Sequence, residues 1–177
     1  MKKLNLSAIR QVTLIETGSF LTWLQKAEGG TVTLRQMEMA SPIRTSKLGF
    51  MLKLGEQFDL LNRSQIHVSI AANGKKFAEA KFPEKMAIIR ALFMDCEQVQ
   101  KIVDSLGKSS TGKLKKRYVQ EIFGMGPGSL VTDGDVMGFI EWAQACELFS
   151  YDKKREEIQL RGPGLPMSPE SSVSVAS

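Results

Sequence analysis

Apolar and polar positions follow a pattern that occurs twice along this chain. Each time an amphipathic helical stretch leads into a short apolar strand, a charged turn and a second strand. In the first copy Ser46-Lys-Leu-Gly-Phe-Met-Leu-Lys-Leu54 precedes Phe58-Asp-Leu-Leu61, the turn Asn62-Arg-Ser-Gln65 and Ile66-His-Val-Ser-Ile70. In the second, Asp135-Val-Met-Gly-Phe-Ile-Glu-Trp-Ala143 precedes Leu148-Phe-Ser-Tyr151, the turn Asp152-Lys-Lys-Arg155 and Glu156-Glu-Ile-Gln-Leu160. A helix that ends in a β-hairpin is the back half of a winged helix. The pattern therefore predicts a mainly α chain with small β-hairpins (α+β), arranged as tandem winged-helix units. It points to binding, not to chemistry.

The remaining elements fall around these two copies. Residues 1–17 read as a lead-in with no assigned structure. Thr17-Gly-Ser19 reads as a helix start, with Phe20, Leu21, Trp23, Leu24 and Ala27 at helical spacing and Gly29-Gly30 as the stop. Thr31 to Leu34 is β-prone, and Leu34 to Ala40 reads as a short helix closed by Pro42. Thr45 or Ser46 is the expected cap of the next helix, whose stripe is Leu48, Met51, Leu52 and Phe58. In the strand that follows, Ile66, Val68 and Ile70 alternate with polar residues and are expected on the buried face. Ala71 to Ala80 reads as a short helix. Pro83 opens a linker helix, Val99 to Leu106 gives a further stripe, and Gly107 to Gly112 reads as a loop. Leu114, Tyr118, Val119, Ile122 and Phe123 predict a helix ending at Gly124, and Thr132-Asp-Gly-Asp135 has capping-box spacing. The expected organisation is a lead-in (1–17), unit one (18–82), a linker helix with unit two (83–160), and a Pro/Gly/Ser-rich disordered tail (161–177).

Composition changes this picture in one respect, the placement of charge. The chain has 177 residues, 42% hydrophobic and 24% charged, with net charge +5 and pI about 9.2. Residues 1–82 hold twelve Lys and Arg against six Asp and Glu, a net +6, whereas residues 83–160 hold eleven against twelve, a net −1. The basic excess belongs to the first unit, which is compatible with an anionic partner. Met1-Lys-Lys-Leu-Asn-Leu has the charges of an export signal without the apolar core after them, and no stretch reaches the ~18 apolar residues that span a bilayer. No membrane insertion is expected. Cys96 and Cys146 form no metal pattern and read as free thiols of a cytoplasmic protein.

Three segments carry a family resemblance. They are Ala71-Ala-Asn-Gly-Lys-Lys-Phe-Ala-Glu-Ala80, Phe82-Pro-Glu-Lys-Met-Ala-Ile-Ile-Arg-Ala-Leu-Phe93, and Phe139-Ile-Glu-Trp-Ala-Gln-Ala-Cys-Glu-Leu-Phe-Ser-Tyr-Asp152. From about Gly18 to Leu160 the chain resembles the AAA-associated C-terminal domain. That domain follows the ATPase subunit of nitrate/sulfonate/taurine-type ABC transporters and also occurs alone. The resemblance implies a tandem winged-helix regulatory or docking module with a transporter ATPase, or a similar machine, as protein partner. It transfers no catalytic residues. Ala71-Ala72 departs from the Thr-Pro or similar pair usual at that helix start.

Candidate chemistry is sparse. Gly107-Lys-Ser-Ser-Thr-Gly-Lys-Leu114 falls one residue short of the phosphate loop Gly-x4-Gly-Lys-Ser/Thr, because Leu114 has no hydroxyl for magnesium. The stretch before it reads as a helix where a strand is required. His67, the sole histidine, is expected on the exposed face of a strand. No enzyme activity, metal or other cofactor is expected. The candidate contacts are basic and polar instead. Arg44, Ser46, Lys47, Lys53 and Gln57 would face outward on the first unit's third helix. Lys113, Lys115, Lys116 and Arg117 would cluster on the second helix of the second unit, with Lys153, Lys154 and Arg155 at its wing tip. These are the positions a winged helix uses on duplex DNA, where a helix enters the groove and the wing touches phosphate. Asp133, Asp135, Glu141 and Glu147 make the second unit's third helix a poor reader. Protein docking is the first reading and a DNA-binding transcription regulator using the first unit is the alternative. A homo-oligomer is compatible with both.

Overall fold

The computed structural model describes residues 2–161, and the tail expected at 161–177 lies outside the described residues from 162 onward. The chain is mainly helical with two small antiparallel sheets, and the order of elements repeats. The first copy comprises α2 (Leu14–Lys26), β1 (Thr31–Thr33), α3 (Leu34–Ala40), α4 (Thr45–Gln57), β2 (Leu61–Arg63) and β3 (His67–Ile70). The second comprises α7 (Glu97–Lys108), β4 (Lys113–Lys115), α8 (Lys116–Ile122), α9 (Asp133–Ala145), β5 (Phe149–Asp152) and β6 (Glu157–Leu160). In each, the strand before the two central helices pairs with the last strand of the hairpin, giving sheet orders β1-β3-β2 and β4-β6-β5. A short helix α1 (Leu6–Gln11) precedes the first copy, and α5 (Ala72–Glu79) and α6 (Phe82–Met94) join the copies.

Threonine caps set three of the helix starts. Thr13 with Glu16, Thr33 with Gln36 and Thr132 with Asp135 each form a reciprocal capping box at the head of α2, α3 and α9. The first box corrects the expected start at Thr17: α2 begins at Leu14, its cap Thr13 lies four residues before Thr17, and Thr17 is a fully buried residue inside it. Nor are residues 1–17 a lead-in. Lys2 bridges Cys96 in parallel, Leu4 N–H donates to Gln98 Oε1 at 3.2 Å, and Asn5 N–H donates to Gln57 Oε1 at 3.0 Å. Leu4, Leu6, Ala8, Ile9 and Val12 are all buried. Together they fix α1 against both α4 and α9, the third helix of each copy.

Other boundaries shift for local reasons. The cap before α4 is Arg44, with no side-chain hydrogen bond, so Thr45 lies inside the helix. α4 nevertheless runs unbroken through Gly49 and Gly55, because Leu48, Met51, Leu52 and Leu54 bury its inner side. α7 extends to Lys108, shortening the expected loop. Lys113 to Lys115 is a strand, paired with β6 from Lys113↔Gln159 to Lys115↔Glu157, where a helix was expected. Ile66 sits outside the ladder, 64% exposed in the hairpin turn, while Val68 and Ile70 face inward as expected. Each third helix ends the same way. Asp59 (φ 51°) and Glu147 (φ 57°) follow the caps in left-handed backbone. Their carboxylates are held by Lys2 and Arg90 respectively.

The two copies share one core. Phe93 of α6 lies at its centre, with ring centroids 5.7 Å from Phe58 of the first copy and 5.6 Å and 6.2 Å from Phe139 and Trp142 of the second.

Candidate functional site

The candidate residues of the first copy divide into two groups. Arg44, Ser46 and Lys53 are exposed at the start of α4 and on its outer stripe, and Lys53 Nζ stands 6.0 Å from the Phe50 ring centroid. Lys47 and Gln57 are diverted. Lys47 Nζ donates to both Glu16 carboxylate oxygens at 2.7 and 2.9 Å, tying α4 to the head of α2. Burial of Glu16 is outweighed by the Lys47 and Thr13 hydrogen bonds, so its carboxyl lies below the usual range. Gln57 accepts from Asn5 N–H and donates to the Lys3 carbonyl at 3.0 Å, so it secures the N-terminal segment. The outward stripe of α4 is therefore Ser46, Gly49, Phe50, Lys53 and Glu56.

The basic residues of the second copy are largely neutralised within the copy itself. Lys116 Nζ lies 2.9 Å from Glu156 and 3.1 Å from Asp133, and the hydrogen bonds to these two carboxylates hold its pKa above the usual lysine value. Lys115 pairs with Glu157 at 3.0 Å and Arg117 with Glu121 at 3.4 Å. Arg155 lies 3.9 Å from Asp152, whose Oδ1 also accepts from the Lys154 and Arg155 backbone N–H groups. Lys153 and Lys154 are exposed at the hairpin end, and Lys113 is half-buried on β4. The structure does not bring these cations together on one helix.

α9 is closed off more completely. Val136, Phe139, Ile140 and Ala143 face the core, as expected, and α1 lies along the side bearing Gly134 and Gly138. Arg10 Nη1 reaches Thr132 Oγ1 at 3.3 Å and Asp135 Oδ1 at 3.6 Å. Burial would raise the Asp135 pKa, but the Thr132 hydrogen bonds and the Arg10 charge hold it below the usual carboxylate range. Sequence reasoning missed this cover because its signal, apolar Leu4, Leu6, Ile9 and Val12, is short and interrupted by charge.

The near phosphate loop runs in the wrong structural order. It leaves a helix, α7, and enters a strand, β4, whereas a phosphate loop leaves a strand and enters a helix whose N-terminus faces the anion. His67 is exposed, as expected. Among the described residues no cluster of three or more His, Cys, Asp or Glu is placed to hold a metal ion. An open cleft of about 680 Å³ is lined by Lys2, Met94, Asp95, Gln100 and Asp104. Its polar groups are partly engaged, since the Lys2 amine pairs with Asp59 and the Gln100 amide donates to the Met94 carbonyl.

Both cysteines are free and fully buried. Burial pushes the Cys96 and Cys146 thiols up to about 11. Such thiols are poor nucleophiles at neutral pH. A sign follows for stability. Unfolded thiols ionise near 9.0, before the folded ones do. Their stabilising contribution is whole below that pH and is lost as pH rises toward the folded value. We predict that the urea midpoint falls between pH 8 and pH 10, and that Cys96→Ala with Cys146→Ala flattens the fall. An unchanged slope in the double variant would contradict this.

No family model matches the chain, and no curated protein or solved structure matches it either. Among the described residues no helix is long and apolar enough to cross a membrane.

Proposed function

We propose that the chain is a non-enzymatic module of two winged-helix units, α2 to β3 and α7 to β6, that docks onto a protein partner. Its order of elements supports the fold: helix, strand, two helices and a hairpin occur twice, with the same sheet order each time. The docking reading rests above all on the fate of the third helices. α9 is covered by α1, and the cations around it are paired with carboxylates of its own copy. What α9 leaves outward is Asp133, Met137, Glu141 and Gln144, an acidic face that phosphates repel. The resemblance in the Phe82–Phe93 and Phe139–Asp152 segments names the partner class, an ATPase subunit of a nitrate/sulfonate/taurine-type ABC transporter or a similar machine. The expected setting is the cytoplasm.

One observation favours the second reading, a DNA-binding regulator. Arg44, Ser46 and Lys53 remain exposed on and beside α4, with no ion pair on either cation among the described residues. A polarisation titration with random duplex DNA at 50 and 200 mM salt separates the two. The docking reading predicts no saturable binding at either salt. A DNA binder would lose affinity steeply, with a slope of about −0.9 per phosphate contact, and Arg44→Glu with Lys53→Glu would abolish it. Lys47 is unsuitable for such a test, because Lys47→Glu would place a second carboxylate against Glu16. Co-purification of the chain with a transporter ATPase subunit of that class is the positive test of the partner.

A further inference from the structure

Two topologically equivalent contacts differ between the copies. In the second copy, Lys116 at the head of α8 donates its backbone N–H to the Glu156 carbonyl of the hairpin end at 2.7 Å, and its side chain pairs with the Glu156 carboxylate. One residue on, Arg117 pairs with Glu121 one turn later. In the first copy the same backbone bond exists: Leu34 N–H donates to the Ile66 carbonyl at 3.0 Å. The side chains there are apolar, and Ile66 is 64% exposed. Arg35, at the position of Arg117, has Met39 one turn later, 79% exposed, where the second copy has a carboxylate.

The first copy thus leaves outward what the second closes on itself. Arg35 and Met39 share one face of α3 by their spacing of four. Ile66 lies beside the head of that helix through the Leu34 bond, and Arg63 ends β2 at the same hairpin end. Arg35 and Arg63 have no ion-pair partner among the described residues, and Glu38 is the carboxylate nearest Arg35 in sequence. Exposed large apolar side chains are the ones that bury area on association, and arginines beside them are the most frequent charged anchors.

We infer that the outer face of α3 together with the β2–β3 hairpin end is the docking surface of this chain, and that its occupant is an acidic protein segment carrying apolar side chains. Charge complementarity selects acid: Arg35 shares a helix face with exposed Met39, and Arg63 shares the hairpin end with exposed Ile66. The apolar pair selects protein over nucleic acid, because a phosphate backbone offers Met39 and Ile66 nothing to bury against. The inference rests on the docking reading and gives it a place and a chemistry.

The test is a selection of displayed random 16-residue peptides on the full chain, followed by titration of synthetic copies of the enriched sequences. Enriched peptides should be net negative and carry Leu, Phe or Trp. Arg35→Glu with Arg63→Glu, and separately Met39→Asp with Ile66→Asp, should each weaken them about tenfold or more. All four positions are exposed, so both double variants should keep the wild-type melting curve, which circular dichroism verifies. Neutral or basic winners, or acidic peptides indifferent to both variants, would overturn the inference. So would random duplex DNA that displaces the peptides at physiological salt and depends on the same residues. A transporter ATPase subunit still retained by both double variants would sink this surface and leave the docking reading standing. Peptide binding here, with no ATPase subunit retained, would keep this surface and the docking reading and remove the transporter ATPase as the partner class.

Discussion

Phe93→Ala should lower the unfolding free energy by about 3–5 kcal/mol, the range for deleting a large buried aromatic side chain. That is a large fraction of the total for a chain of this size. The ring is fully buried on α6 and touches both halves of the core: Phe58 on one side, Phe139 and Trp142 on the other. Those neighbours are held by separate helices, so the void cannot close without moving α4 toward α9. Phe93→Leu should recover roughly half of the loss, since it keeps apolar contact but not the aromatic edges. The chain carries one tryptophan in each copy, Trp23 on α2 and Trp142 on α9. Urea melts of Trp23→Phe and Trp142→Phe variants therefore report each half separately. In the otherwise native chain the two curves should coincide, as one shared core requires. With Phe93→Ala added, they should shift together or separate, but each must move to lower urea. A loss below ~1 kcal/mol would mean that α6 does not join the halves.

How far the sequence discloses this arrangement depends on the range of each signal. Local periodicity is strong in α7, with Val99, Ile102 and Leu106 on one side, and in the helix-to-hairpin stretches, so the mainly helical class and the short antiparallel hairpins are legible there. The Thr132 cap is legible because Asp135 stands at the right spacing. The Thr13–Glu16 box has an equally clear spacing, but Leu14 and Ile15 are a weak apolar opening, with Ile15 80% exposed, and α2 reads as starting later. β4 is too short for alternation to separate it from a helix. Its strand character comes from β6, more than forty residues away in sequence. Several of the candidate contact residues, though not Arg44, Ser46 or Lys53, are diverted for the same reason. A lysine on an outward helical position looks free in sequence. Whether it is free depends on a distant carboxylate, as with Lys47 and Glu16 or Lys116 and Asp133. The contrast between Arg35–Met39 and Arg117–Glu121 was written in the sequence throughout. It acquires meaning only once the two helices are seen to occupy equivalent places.

Gly138→Leu should have a comparable effect to Phe93→Ala, and Gly134→Ala on the same helix should not. Both glycines face α1, but they meet different parts of Arg10. A Cβ on Gly138 would lie 2.9 Å from Arg10 Cα, and backbone in a packed helix cannot swing aside. A Cβ on Gly134 would lie 2.8 Å from Arg10 Cζ, the far end of a flexible side chain. Filling the first site must push α1 off α9. That strips cover from Leu6, Ile9 and Val12, each of which stabilises by about 1.5–3 kcal/mol when fully buried. A net loss of about 3 kcal/mol or more is expected even after the helix-propensity gain of roughly 1 kcal/mol on leaving glycine. At Gly134 that gain should survive, less the weak Arg10–Asp135 contact at 3.6 Å, so Gly134→Ala should be neutral to mildly stabilising. Hydrogen exchange locates the effect. In Gly138→Leu the amides of Ile9 to Val12 should lose protection first, while those of α7 keep theirs. Equal losses from both substitutions would show that α1 does not depend on the small side of α9. If Gly138→Leu left the protection of α1 intact, the close approach of Arg10 to α9 would not be what seats that helix between the two halves of the protein.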